Sequence, residues 1–587
     1  MVFVKKDQVE LGTMSKPELE EIERASQETI NPVADKPTGS QIVFPHGWRL
    51  CLVILGLMIC LYLVNLEVTI VSTSLIAITS DLNGFNKTSW IITGFLITFT
   101  GRKFLLLSLS GSANLTAGFM SIWTRVSDII GRKKTLLAAE VTFLAFSLGC
   151  GLSPSVNTLI ICRSFQGIGG AGVYPLTLLC AYETVPKSKI PLLGGLLAIA
   201  IACAALTGPL IGGVLAQNSE WRWVFYVNLP PGAVAILMLL IAMPANHGSV
   251  PSKSIAYLKP SIALFQDLDL VGAVLLLSAC LLPITVLNET NLSFEWASGT
   301  AIGLLVAGGV SWMAFFAWEW VIDGRPGYHP IFPKRLLFNR AWMGMLIITF
   351  ASGCPWNVII VYLAQRFQVL ERLTPVDAGI RLIPYSALAT VGTAVANLAC
   401  LRGRIPFVYL ILFGSLLQTV GMALFAILPQ TDSFPSAGYG YEVIAGAGIG
   451  VTIGICVLAV PYVVETRDLA TATGALNQCR FLGGAIGLAI AANIQYGNLK
   501  SELTDTLSPE QLQQLLENSN TVGTLPAQLQ AAIGDVFAKS YTRQYQAMIA
   551  FAAVQIPASL LMLRRGGQYV VKEDETTDSD SGSDTTV

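Results

Sequence analysis

Arg125-Val126-Ser127-Asp128-Ile129-Ile130-Gly131-Arg132-Lys133-Lys134 separates two apolar stretches, 88–124 and 135–153. A cluster of Arg and Lys in a short connection between apolar runs is retained on the cytoplasmic side of a membrane. The stretch therefore sets the sidedness of its neighbours. Reading outward from it gives fourteen apolar segments: 49–79, 88–124, 135–153, 156–180, 191–216, 223–243, 268–288, 299–321, 341–363, 378–400, 406–428, 440–464, 470–496 and 546–563. Each is long enough to be a span or a large part of one, at about 20 residues per crossing. Within the stretch itself Gly131 permits a tight turn, and Asp128 and the cations can pair with charges or helix ends nearby. Arg125, Asp128, Gly131, Arg132 and Lys133 are the expected cytoplasmic gate, beyond the plain anchoring that any basic loop provides.

Composition agrees. The 587 residues are 53% hydrophobic and 12% charged, with a mean hydropathy of +0.61. Soluble chains carry about 25% charged residues, so a soluble enzyme and a disordered scaffold are excluded. A nucleic-acid binder would need a basic excess, against a net charge of −1. The fold class is an all-α polytopic membrane protein. All 11 cysteines lie in or at the ends of apolar runs, and the three histidines lie in polar connections. No disulfide framework, metal site or histidine proton relay is expected. No G-x-x-x-x-G-K-[ST] occurs, so ATP hydrolysis is not expected, and an ion gradient must supply any energy.

With the N-terminus in the cytoplasm, the richer Lys/Arg loops fall inside, among them Lys187-Lys189, Lys253-Lys259, Arg325 to Arg340, and Arg402-Arg404. An even number of spans returns the acidic tail inside too. The opposite face then holds three N-x-[ST] glycosylation acceptors, Asn86, Asn288 and Asn291. Segment 88–124 is too long for one span and is broken by Arg102-Lys103, a costly pair at mid-membrane. Removing residues 101–117 leaves a single span ending at the basic loop, whereas an extra span there would invert every later loop. The stretch reads as a translated, unspliced intron; a genuine insertion or a re-entrant piece is the alternative.

Three further groups carry candidate chemistry. Arg163 lies roughly 10 Å into the fourth span and needs a partner there. Glu67, in the outer half of the first span, is the best partner by depth. Burial favours a neutral carboxyl and an adjacent guanidinium favours an ionised one, so a moving partner would let Glu67 bind and release a proton. A static ion pair is the alternative. Glu140 and Glu319 lie nearer the cytoplasmic ends of their spans, where reaching toward water suffices. Gly167-x-Gly169-x-x-Gly172 matches a dinucleotide fingerprint but continues an apolar span with no strand before it; its glycines suit close helix packing. Gly208-Pro209-Leu210-Ile211-Gly212-Gly213 interrupts the fifth span, and Pro209 removes a backbone hydrogen bond there. Gly208, Pro209, Gly212 and Gly213 form the expected hinge.

In this order, and with Trp221 to Gly232 opening the sixth span, these motifs resemble the major facilitator superfamily. More narrowly they resemble the 14-span drug:proton antiporters of fungi. Ser127-Asp128-x-x-Gly131-Arg132-Lys133 is similar to the loop signature, with Thr124 where Gly is usual. Arg163-x-x-Gln166-Gly167 is similar to the proton-linked motif. Gly208-Pro209-x-x-Gly212-Gly213 is similar to the antiporter motif, with Ala204 for its leading Gly. Leu66-Glu67-x-Thr69-Ile70-Val71 is similar to the first-span motif, with Glu where Asp is common. Thr374 to Pro384 and Arg480 to Gly487 extend the likeness, which covers about 48–563 and leaves 101–117 without a counterpart.

The resemblance implies a cytoplasmic tail (1–47), a six-span bundle (48–243), a linker with two extra spans (244–340), a second six-span bundle (341–563, with an extracellular loop 497–545) and an acidic tail (564–587). It implies a central cavity open alternately to each side, with proton entry driving export of amphipathic drugs or secondary metabolites. The expected partners are a small-molecule substrate and the lipid bilayer of the cell or vacuolar membrane, with no nucleic acid; the chain is expected to be monomeric, with no cofactor beyond the proton gradient. A proton-coupled importer of a nutrient or iron chelate, and a product disabled by the insertion, remain the alternatives.

Overall fold

The computed structural model describes residues 46–82, 119–186, 189–218, 220–244, 269–290, 294–325, 330–401, 405–429, 434–504, 507, 508, 511, 515 and 526–563. Both tails, the 101–117 stretch, Asn86 and Asn291 lie outside them.

Fourteen main helices follow the apolar segments: α1 (Trp48–Asp81), α2 (Phe119–Ile130), α3 (Arg132–Gly151), α4 (Val156–Thr184), α5 (Ile190–Gln217), α6 (Leu229–Ala242), α7 (Leu270–Glu289), α8 (Gly299–Ile322), α9 (Arg340–Val358), α10 (Ile383–Leu401), α11 (Phe407–Ala426), α12 (Ser436–Val463), α13 (Leu469–Leu503) and α14 (Ala527–Leu560). Ten helices among the described residues are long and apolar enough to cross a membrane. Apolar character runs right round most of them, as a lipid solvent requires. Large apolar side chains on the outside, such as Met313 on α8 and Leu237 on α6, are exposed; in a bilayer they face lipid.

Local signals set the helix starts. Ser155 accepts from the backbone N–H of Thr158, and Asn339 from that of Trp342, each occupying one of the unpaired donors of a first turn. Pro191 and Pro230 sit where a first helical turn tolerates proline. The helix of α9 continues through a π-helical turn, Ile359–Leu363, to Val369. This widened turn begins four residues after Pro355, which cannot donate to the helical ladder.

In the first half, α1 packs on α4, α5 and α6, and α3 packs on α4. In the second half, α9 packs on α13 and α14, and α12 on α10 and α11. Helices α7 and α8 pack on each other, and α7 also reaches α13, where Asn493 donates to Leu287 O and Thr290 O. The halves meet mainly along α5 with α10, and along α13 with α2 and α4.

Four sequence expectations change. The loop 125–134 is almost entirely helical: α2 runs to Ile130, α3 starts at Arg132, and only Gly131 breaks the ladder. Its φ of 105° is a conformation open chiefly to glycine. Helix α5 is not interrupted; it runs unbroken through Pro209, because packing on both sides holds the backbone where one hydrogen bond is missing. Much of 497–545 is helix rather than loop, since α13 extends to Leu503 and α14 begins at Ala527. Glu140 and Glu319 do not reach toward water: both are buried. Asn288 lies within α7, at the penultimate position.

Candidate functional site: a buried ion pair and a central cavity

Glu67 on α1 and Arg163 on α4 are both buried, 0% and 1% exposed, and are in contact. Neither is alone. Arg163 Nη1 donates to Gln166 Oε1 at 2.9 Å. Gln166 Nε2 donates to Ser147 Oγ at 3.1 Å. Asn228 Nδ2 donates to the other Glu67 oxygen at 2.5 Å and to Ser147 Oγ at 3.0 Å. Ser147 Oγ in turn donates to Phe225 O at 2.9 Å, and the Arg163 guanidinium lies 5.6 Å from the Phe225 ring centre. Four helices or their starts (α1, α3, α4 and the turn before α6) thus converge on one carboxylate. The network balances charge, which is what lets an ionised pair stay inside an apolar bundle. Asn228 and Ser147 were not legible as site residues. Asn228 stands among turn-forming prolines, and a serine in an apolar span is usually satisfied by its own helix.

The gate residues other than Arg125 are held within their own half. Arg132 contacts Asp128 Oδ1 at 2.5 Å and Ser127 Oγ at 2.6 Å. Its other donors reach Glu183, at the end of α4, at 3.2 Å. Lys133 Nζ donates to Leu240 O and Met243 O at 2.8 and 2.6 Å, a cation on carbonyls at a helix C-terminus. Arg125 points away from these, and its Nη2 donates to Pro330 O. Arg335 and Asp468 form a second bridge at the same end of the molecule, which holds Arg335 above the usual guanidinium range by hydrogen bonding to its charged form.

The hinge glycines act by proximity. A Cβ on Gly208 would stand 2.0 Å from Thr69 Oγ1, and one on Gly212 2.3 Å from Ile70 O. This closeness lets Thr69 Oγ1 donate to Ala204 O and Ser74 Oγ to Gly212 O, at 3.2 and 2.8 Å. A Cβ on Gly213 would meet Val376 at 2.8 Å, and one on Gly379 would meet Pro209 at 3.0 Å. One face of α5 is therefore seated on α1, and the other on the short helix Pro375–Arg381 of the opposite half. Gly169 likewise stands against the backbone at Phe143 and Gly172 against Ala139 and Trp123, so both are packing glycines.

The cavity lies between the halves. It is an open space bounded by α4 and α5 of one half and α9, α10, α12 and α13 of the other. A smaller recess, lined by Asn65, Val68 and Thr69 of α1, shares Ile201, Ala205, Trp356 and Arg480 with it. The cavity occupies the half of the bundle nearer Arg132, and Tyr182 OH reaches across it to Val457 O at 2.7 Å. Glu67 lines neither space. Arg480, Glu442 and Arg366 are further ionisable residues inside spans. Their signal, a lone charge in an apolar run, is visible in the sequence.

Residues 55–488 match the family model of the Major Facilitator Superfamily. The chain belongs to that superfamily. Among its superfamily relatives is the MFS-type transporter FPY5 of Fusarium mangiferae, 35% identical over 526 residues, covering 89% of this chain and 85% of the relative. Another is the aspyridones efflux protein of Neocamarosporium betae, 28% identical over 501 residues, 84% of this chain and 83% of that one. Among solved major facilitator folds, a bacterial homologue of the human lysosomal transporter Spinster aligns with a TM-score of 0.53 at 14% identity, over 88% of this chain and 98% of that one. The protein is a multi-pass membrane transporter, and its family and fold are those of a transporter rather than an enzyme.

Proposed function

We propose that this transporter exports amphipathic small molecules, such as drugs or fungal secondary metabolites, from the cell in exchange for protons. The observation that carries the reading is the Glu67–Arg163 pair, sealed from water inside a membrane-spanning bundle. Intramembrane carboxylates paired with Arg mark ion pathways by default. A shift that parts Arg163 from Glu67 leaves a buried carboxylate short of compensation, and it takes up a proton; the return shift expels it.

Helix α1 connects this step to cargo. It carries Glu67 on the face toward α4 and α6, and Asn65, Val68 and Thr69 on the face lining the recess. Cargo and proton therefore need not touch. Movement of α1 against α5, at the Gly208 and Gly212 seats, couples them. Arg132, Asp128, Glu183 and Lys133 brace the ends of α2, α3, α4 and α6 so that the half moves as one body. Export rather than import is favoured by the fifth-helix motif and by the efflux function in the name of the aspyridones relative. The cell membrane is the proposed site, with one chain as the working unit and the proton gradient, not a bound cofactor, as the energy source.

The test uses sealed vesicles containing the full chain, acid inside, with fluorescent amphipathic dyes of positive, neutral and negative charge; empty vesicles are subtracted. At least one dye is expected to accumulate, and a protonophore or Glu67→Gln to abolish that accumulation at equal protein content. Accumulation undiminished by the protonophore refutes proton coupling.

A further inference from the structure

Among the described residues, Arg480 is the one charged side chain lining either the central cavity or its recess, and no Asp or Glu lines them. It sits eleven residues into α13, roughly 16 Å along the helix, near the middle of a hydrocarbon core about 30 Å thick. A cation at that depth requires a partner. Arg163 has Glu67, and Arg335 has Asp468. Among the described residues Arg480 has no carboxylate, and its Nε is buried with no hydrogen-bond acceptor. Its contacts are two aromatic faces: the guanidinium carbon lies 4.8 Å from the Tyr174 ring centre and 4.5 Å from that of Phe481. Those rings are set edge to face, 5.5 Å apart. These ring contacts leave its N–H edge without an acceptor, and that edge matches a carboxylate bidentately.

The rest of the lining is apolar or neutral. Leu193, Leu197, Ile201 and Ile453 supply hydrocarbon, while Asn397 presents a buried Oδ1 with no partner. Asn397 and Ala389 both line the space, so it extends roughly 12 Å along α10. An occupant that satisfies this wall has an acidic group at Arg480, an apolar body, and a hydrogen-bond donor for Asn397.

We infer that the cavity selects an organic anion, an amphipathic molecule whose carboxylate or comparably acidic enolate binds Arg480. This deepens the transport reading by naming the cargo class, and it rests on that reading only for the cavity being the cargo site. Proton coupling does not enter it.

The test is equilibrium binding to the purified full chain in lipid nanodiscs, with no gradient and with empty nanodiscs subtracted. The probes share one scaffold: dansylglycine (carboxylate), dansylglycinamide (neutral) and dansylethylenediamine (amine). Dansylglycine is expected to bind roughly tenfold or more tighter than the amide, in line with a charge-assisted bidentate contact. Arg480→Gln weakens carboxylate binding far more than amide binding and so removes the preference; Arg480→Lys keeps part of it. Gel filtration and amide binding report whether each variant is folded. Equal or absent binding of the carboxylate probe to the wild-type chain overturns the inference. So does a preference that survives Arg480→Gln, or an Arg480→Gln variant in which amide binding falls equally. Glu67→Gln separates the two claims, because it is expected to keep the carboxylate preference whether or not it stops gradient-driven flux.

Discussion

Removing the guanidinium from the buried pair is the most informative perturbation. In Arg163→Leu, Glu67 loses its guanidinium partner and keeps Asn228 Nδ2 at 2.5 Å. Gln166 Oε1 loses its 2.9 Å donor at the same time. Both carboxylate and guanidinium are at most 1% exposed, so water does not replace what is lost. Breaking a buried pair from one side costs about 3–5 kcal/mol. Replacing both charges together, Glu67→Gln with Arg163→Leu, removes the uncompensated charge and is expected to restore most of that loss. The assay is a double-mutant cycle of unfolding free energies in mixed micelles, each variant paired with gradient-driven dye accumulation in vesicles. The coupling energy is expected to exceed about 2 kcal/mol, with the double mutant stable and inactive. An Arg163→Leu variant within about 0.5 kcal/mol of wild type, or an active double mutant, would refute the reasoning that this pair is a balanced, working ion pair.

Two further outcomes are expected. Gly212→Ala places a methyl 2.3 Å from Ile70 O and should stop transport by prying α1 from α5, whereas Gly195→Ala, with nothing within 4 Å, should be silent; equal activity of the two in the vesicle assay would remove the α1–α5 seat from the mechanism. Deleting residues 101–117 should increase delivery to the membrane, read by surface fluorescence of a tagged chain, and reduced delivery would mark the stretch as a genuine part of the second span.

Much of this molecule follows from local sequence. The apolar runs give the helices because hydrocarbon leaves the backbone no other way to satisfy its hydrogen bonds. Asn339 and Ser155 cap where their side chains reach a free N–H, and Gly131 marks the turn because its φ of 105° excludes a Cβ. Arg163 and Glu67 could be paired on depth alone, since two opposite charges in the same apolar layer have few other options. Asn228, Ser147 and the unpaired state of Arg480 were not readable, because each depends on what stands beside it rather than on its own type. The unbroken passage of α5 through Pro209 was not readable for the same reason: a missing hydrogen bond breaks an isolated helix more readily than one clasped by α1 on one side and Pro375–Arg381 on the other.

The sequence by itself determined a membrane-spanning helical chain, its order of spans and the residues able to carry charge inside it, since these follow from transfer free energies and chain periodicity. Only the tertiary structure decided that Glu67 and the recess face opposite sides of α1, that Arg132 is tied to Glu183, and that Arg480 faces the cavity beside Tyr174 and Phe481. Those are relations between helices far apart in the chain, fixed by how their surfaces pack, and no residue carries them in its own identity.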